Sequence, residues 1–232
     1  VIVSAEHGGA RVPSEVRARF ESAAARRALA SHRGWDPGSA ELARALARAL
    51  GVRALVATTS RLVCDANRSR GHRALFSRFT RDLPPAARAR LLERWWAPQR
   101  DAVEAAVANG AAGGVPVVHL AVHSFTPVLD GERRPMDVAW LYDPSRSGER
   151  AFVAAWRSAL HARRDDLVLA RNRPYRGTAD GLTTHLRRRF DDRVYAGIEL
   201  EVNQRFPLGG DPRAWRRLVR DLVASCSAAL ER

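Results

Sequence analysis

A strand buried on both faces is written into residues 115–122, Val-Pro-Val-Val-His-Leu-Ala-Val. A half-exposed strand alternates apolar and polar residues, whereas this nearly continuous apolar run has no face suited to water. Such a strand needs helices above and below it, and the rest of the chain supplies them. Short apolar runs at 1–5, 53–58, 138–142, 167–170 and 194–202 read as further strands. Helical periodicity predicts helices over 14–30, 38–50, 86–109, 148–163 and 211–231, with a Gly- and Thr-containing loop over 172–186. Strands alternating with helices predict an α/β fold: three layers, with a mixed, mostly parallel sheet covered by helices on both faces. At 232 residues, the chain is expected to form a single domain over 1–232.

The charge invites a different reading. Thirty-nine basic residues against 25 acidic ones give +14, and every basic residue is arginine. A nucleic-acid binder concentrates its cations on one element, but here arginine recurs in nearly every ten-residue block, and the densest run is only Arg187-Arg188-Arg189. The charge is therefore read as compositional bias over solvated faces, and no nucleic-acid partner is expected. No apolar stretch approaches the roughly 20 residues of a membrane-spanning helix, so no membrane partner is expected either. No signal peptide is visible, and Cys64 and Cys226 lack a metal-type spacing. Both fit reduced thiols in a cytoplasmic protein.

Several strands end in polar residues. Glu6-His7 follows the first, His123 ends the run at 115–122, and Glu199 and Glu201 lie on the last. Ligands of open α/β sheets collect at the carboxyl ends of strands. His7, Asp36 and His123 can converge there with a glutamate of the last strand, and two imidazoles plus a carboxylate make a zinc set that leaves room for water. The plainer alternatives are structural histidines, and Asp36 as N-cap of the 38–50 helix with Pro37 at its first position.

Seven segments in order resemble the N-formylglutamate amidohydrolase family. They are Glu6-His7-Gly8-Gly9 with Pro13, Trp35-Asp36-Pro37-Gly38, the stretch Ser60–Arg68, His123-Ser124-Phe125, Asn172-Arg173-Pro174-Tyr175, Thr184-His185, and Glu201-Val202-Asn203-Gln204. The resemblance runs from residue 1 to about 206. It implies a fold similar to that of the zinc carboxypeptidases and aspartoacylases, and a zinc-dependent amidohydrolase that releases formate and glutamate from N-formyl-L-glutamate, as in histidine breakdown. The implied zinc ligands are His7, Asp36 and His123. Those exopeptidases place a Glu three residues after the first His, but this chain has Ala10 there. Asp36 is taken as the substitute, with Glu6 as the alternative; on an extended segment Glu6 is expected to point away from its neighbour His7.

The resemblance also implies that Glu201 is the general base, with Glu199 as the alternative two residues away on the same face. Arg68, with Asn67, is the expected clamp for a carboxylate of a small anionic N-acyl amino acid, since a guanidinium fork matches that group. Arg61 and His185 are the candidates for stabilising the oxyanion, while Asp65 is expected to pair with an arginine as support. Asn172 and Tyr175 sit in a loop expected to close over the substrate. Arg173 departs from the Glu or Gln of the family, which opens the choice of substrate to another N-acyl amino acid or a small peptide. His32, His72, His119 and His161 match no motif and are read as structural or exposed, with His119 on the same strand face as His123.

Overall fold

The apolar run belongs to β3 (Val117–Phe125), a central strand flanked by parallel neighbours on both sides. The structure is a computed structural model that describes residues 1–231. Strands β1 (Ile2–Ala5), β2 (Ala54–Val56), β3, β6 (Val138–Leu141), β7 (Leu169–Arg171) and β8 (Tyr195–Asn203) form one sheet in the order β2-β1-β3-β8-β6-β7. Every pairing is parallel except β6 with β8, so the sheet is mixed and mostly parallel, as the sequence predicts. A separate hairpin, β4 (Val128–Leu129) and β5 (Glu132–Arg133), turns at Asp130-Gly131, both in the left-handed region. Asp-Gly tolerates that backbone and marks a tight hairpin turn.

Helices α2 (Ser39–Ala49), α5 (Ser147–Arg163) and α7 (Pro212–Leu230) cover one face of the sheet. Val3, Ala5, Leu120, Val122, Ile198 and Leu200 point into that layer, meeting Leu42, Leu46, Trp156 and Leu222. Helices α4 (Ala97–Ala112) and α6 (Leu182–Arg187) cover the other face, where a smaller core joins Ile2, Val117 and Tyr195 to Val103, Val107 and Leu186. A third apolar cluster ties Val16 and Phe20 to Val63, Leu75 and Leu91 under the long loop after β2.

Three local expectations need correction. The helix predicted over 14–30 is a 3-10 segment (Ser14–Phe20) followed by α1 (Ala23–Leu29), because the Ser22 side chain accepts from the Ala25 amide and starts a new helix. The helix predicted over 86–109 runs from α3 (Pro85–Leu91) through a π-helical turn (Leu92–Trp96) into α4. Pro98 has no amide hydrogen to donate to the carbonyl four residues back, which accounts for the widened turn there. The loop predicted over 172–186 ends in α6.

Among the described residues, no helix is long and apolar enough to cross a membrane. Cys64 and Cys226 are free and buried.

Candidate metal centre and cavity

Side-chain alternation on the parallel strands builds the site. On β3, His119, Ala121 and His123 face one side, and their register partners on β8 are Gly197, Glu199 and Glu201. On β1, Ser4 pairs with Ala121, so Glu6, two residues further on, emerges beside His123. One face of the sheet thus carries a polar column at the carboxyl ends of β1, β3 and β8, while the opposite face is apolar. His7 leaves the end of β1, and its carbonyl accepts from the Asp36 amide at 2.9 Å. That bond anchors the segment before α2 against the strand end.

Asp36 is not the N-cap of α2. Gly38 holds that position with φ +82°, a left-handed backbone that suits glycine, and the helix begins at Ser39. The Asp36 carboxylate is thereby free to turn inward. Its Oδ2 lies 3.0 Å from His123 Nδ1 and 3.4 Å from His7 Nδ1, and its Oδ1 accepts from Arg61 at 3.3 Å. Burial pushes the Asp36 carboxyl up, but His7, His123 and Arg61 outweigh it and hold the group well below the usual carboxylate range. His7, Asp36 and His123 each offer an atom within 4.8 Å of the others, all three are buried, and the group could hold a metal ion.

The outer ring nitrogens are backed by carboxylates. His7 Nε2 donates to Asp65 Oδ1 at 2.6 Å. His123 Nε2 lies 3.2 Å from Glu6 Oε2, an ion-pair contact off the ideal hydrogen-bond direction. Glu6 does point away from His7, and the neighbouring strand brings it behind His123; it stands outside the His7–Asp36–His123 group and supports it. Burial alone would raise the Glu6 pKa, yet His123 lowers it to about 2. The His123 ring is disfavoured as a cation by burial, but Asp36 and Glu6 raise its pKa well above the ordinary value. Asp65 also accepts from Arg61 at 3.2 and 3.3 Å, so Arg61 bridges the two aspartates.

A cavity of about 210 Å³ opens over this cluster, lined by His7, Asp36, Arg61, Arg68, His123 and Glu201 among others. Glu201 is buried, with Oε2 lacking any hydrogen-bond partner, and burial pushes its carboxyl up to about 8. Glu199 also lines the cavity, but its Oε1 accepts from Thr183 at 2.7 Å. Asn67 and Tyr175 reach the cavity too. The Asn67 Oδ1 accepts from the Leu182 amide at 2.7 Å, and Arg68 donates to the Asp180 carbonyl. Asp180 in turn accepts from the Ser69 amide at 3.0 Å, so the 65–69 and 180–182 segments are strapped together.

Two expected residues are not brought to the cavity. His185 lies on α6 with Nε2 3.1 Å from Glu104 on α4, and it does not line the pocket. Asn172 takes a left-handed backbone, and its Oδ1 accepts from the Tyr142 and Gly177 amides, which makes it a turn former. Arg173 is exposed and also lies off the lining.

His32, Ser124, Arg176 and Asp180 line the cavity although no expectation placed them there. For Ser124 and Asp180 the only signals are their positions beside His123 and before α6. His119 is a core residue, as expected: Ser4 Oγ and Tyr195 OH bracket its ring nitrogens at 2.8 and 2.9 Å, and burial lowers its pKa to about 4.

Comparison with known proteins bears on the fold and the family. Among solved structures, a gene product from Agrobacterium tumefaciens superposes with a TM-score of 0.82 at 26% identity, over 99% of this chain and 90% of that one. The N-formylglutamate amidohydrolase from Ralstonia eutropha superposes with a TM-score of 0.72 at 19% identity, over 99% of this chain and 92% of that one, and so shares the fold. No curated protein matches the chain. Residues 1–206 match the family described as N-formylglutamate amidohydrolase. With most of its length covered by that match, the chain belongs to the N-formylglutamate amidohydrolase family.

Proposed function

We propose that the protein is a zinc-dependent amidohydrolase that cleaves N-formyl-L-glutamate to formate and glutamate in the cytoplasm. The observation that carries this reading is the paired arrangement of His7 and His123. Both turn Nδ1 toward Asp36 and present Nε2 to a carboxylate, Asp65 and Glu6 respectively. Metal-binding histidines generally have the second nitrogen engaged in this way. The His7 Nδ1 is buried without a hydrogen-bond partner, as a ligand atom awaiting an ion would be. The donor set of two imidazoles and one carboxylate suits zinc, which when bound supplies Lewis-acid polarisation of a carbonyl and acidifies water.

The protein's own groups account for the remaining chemistry. Glu201 faces the same side of the sheet as His123 and has an unpartnered oxygen, so it takes the proton from the attacking water and delivers it to the leaving amine. Burial pushes its carboxyl up to about 8, which makes the ionised form a stronger proton acceptor. Arg61 is held by Asp36 and Asp65, lines the cavity, and stabilises the developing oxyanion. Arg68 and Asn67 bind a carboxylate of the substrate. His185 has no part in this scheme.

The test is formate release from N-formyl-L-glutamate with and without chelator, alongside metal analysis of the purified protein. Activity that is lost with chelator and restored by zinc is expected. A His7→Ala variant that kept both metal and activity would refute the assignment.

A further inference from the structure

A second cavity, of about 610 Å³, adjoins the first and shares His32, Arg61 and Arg68 with it. Its walls carry Arg33, Arg73, Arg78 and Arg81 in addition to the shared pair, and a single carboxylate, Asp65. Asp65 is already engaged by His7 and Arg61. Among the described residues, no carboxylate oxygen lies within 4.0 Å of the guanidinium groups of Arg33, Arg68, Arg73, Arg78 or Arg81; the nearby Asp82 pairs with Arg19. Leu62, Phe76 and Phe79 add apolar surface to the lining. His32 lines both cavities, and its pKa is lowered by burial and then by Arg33 and Arg61.

We infer that this arginine-lined vestibule binds a carboxylate-bearing extension of the substrate, so that the protein acts on N-formylated acidic peptides as well as on a single amino acid. The inference rests on the amidohydrolase reading above. A formyl carbon carries only hydrogen besides its oxygen and the scissile nitrogen, so any extension must lie on the amine side of the scissile bond. The hydrolysis itself is unchanged: water adds its oxygen to the formyl carbon, the C–N bond breaks, and the proton goes to the peptide amine. Several guanidinium groups without a carboxylate partner, Arg78 among them stacked on Phe79, match acidic side chains on a short peptide whose carboxylates meet the forks.

Binding and turnover separate this inference from the reading it rests on. Calorimetry with triglutamate and triglutamine reports binding even without hydrolysis. The expected result is that triglutamate binds, that triglutamine binds at least tenfold more weakly, and that Arg73→Gln/Arg78→Gln/Arg81→Gln weakens triglutamate by at least tenfold. All three of those arginines are exposed, so the fold survives their replacement. Arg157→Gln/Arg213→Gln/Arg216→Gln removes the same charge from exposed positions on α5 and α7 and should leave binding within twofold. In turnover, kcat/KM for N-formyl-glutamyl-glutamate should exceed that for N-formyl-glutamyl-glutamine in the wild type and not in the vestibule variant. Equal loss in both triple variants, or no binding of triglutamate, overturns the vestibule. Hydrolysis of N-formyl-L-glutamate alongside such a result leaves the amidohydrolase reading standing.

Discussion

Replacing Asp65 with Asn tests the support behind His7 while keeping the shape of the side chain. In the wild type, Asp65 Oδ1 accepts from His7 Nε2 at 2.6 Å and from the Asn67 amide at 2.9 Å, while Oδ2 accepts from Arg61 at 3.2 Å. An asparagine can satisfy only part of this. With its oxygen toward His7, its NH2 group faces the Arg61 guanidinium, donor against donor, and Arg61 keeps Asp36 alone. With the amide flipped, NH2 faces His7 Nε2 and forces the proton onto Nδ1, the atom turned toward Asp36 and needed for metal. Loss of such a supporting carboxylate typically lowers metal affinity by about 10–100-fold, or ~1.4–2.7 kcal/mol. Competition for zinc against a chromophoric chelator measures it, with thermal unfolding as the control for folding. Zinc affinity within threefold of the wild type would refute the claim that Asp65 sets the His7 tautomer.

Four further outcomes are expected. Glu201→Gln should lower kcat by roughly 10²–10⁴-fold while zinc content stays at the wild-type level; retention of activity would remove Glu201 as the base. In the metal-free protein, Asp36 and Glu6 raise the His123 pKa well above its ordinary value, so a bound metal would compete with a proton for that ring. Zinc affinity should therefore rise with pH, with protons released in calorimetry run in buffers of different ionisation enthalpy; pH-independent affinity contradicts this. Gly9→Ala should destabilise the protein by about 1–3 kcal/mol in denaturant melts, because the added Cβ would collide with the Thr58 carbonyl oxygen. Burial pushes the Cys64 and Cys226 thiols up to about 12, so neither should react with a thiol reagent at pH 8 until the protein is unfolded.

The sheet was legible because buried parallel strands leave long apolar runs, and the polar residues that interrupt those runs marked the site. His7 and His123 follow from strand ends alone. Asp36 was harder: its position before an Ala/Leu helix looks the same whether the carboxylate caps the helix or turns inward. Gly38, by taking the left-handed backbone, decides between the two. Glu6 shows a different limit. Alternation correctly sends it away from His7, but what it then meets depends on the β1–β3 register, which local sequence does not encode. His185 and Asn172 fall in two family-like segments, yet their partners are Glu104 and the amides of Tyr142 and Gly177. Such contacts arise only when α6 packs beside α4 and the loop closes on β6. The hairpin at Asp130-Gly131 carried a readable turn signal, although its two-residue strands are too short for periodicity to mark.

The cluster around Asp36 also fixes what charge an occupant must carry. With both imidazoles neutral, the carboxylates of Glu6, Asp36 and Asp65 stand against Arg61, the one guanidinium within 4.0 Å of any of them among the described residues. Two negative charges remain in a buried setting where an unbalanced charge is costly. A divalent cation cancels them, a monovalent one leaves a deficit and a trivalent one an excess. Charge balance among these contacts would therefore favour a divalent ion, before ligand geometry selected the element.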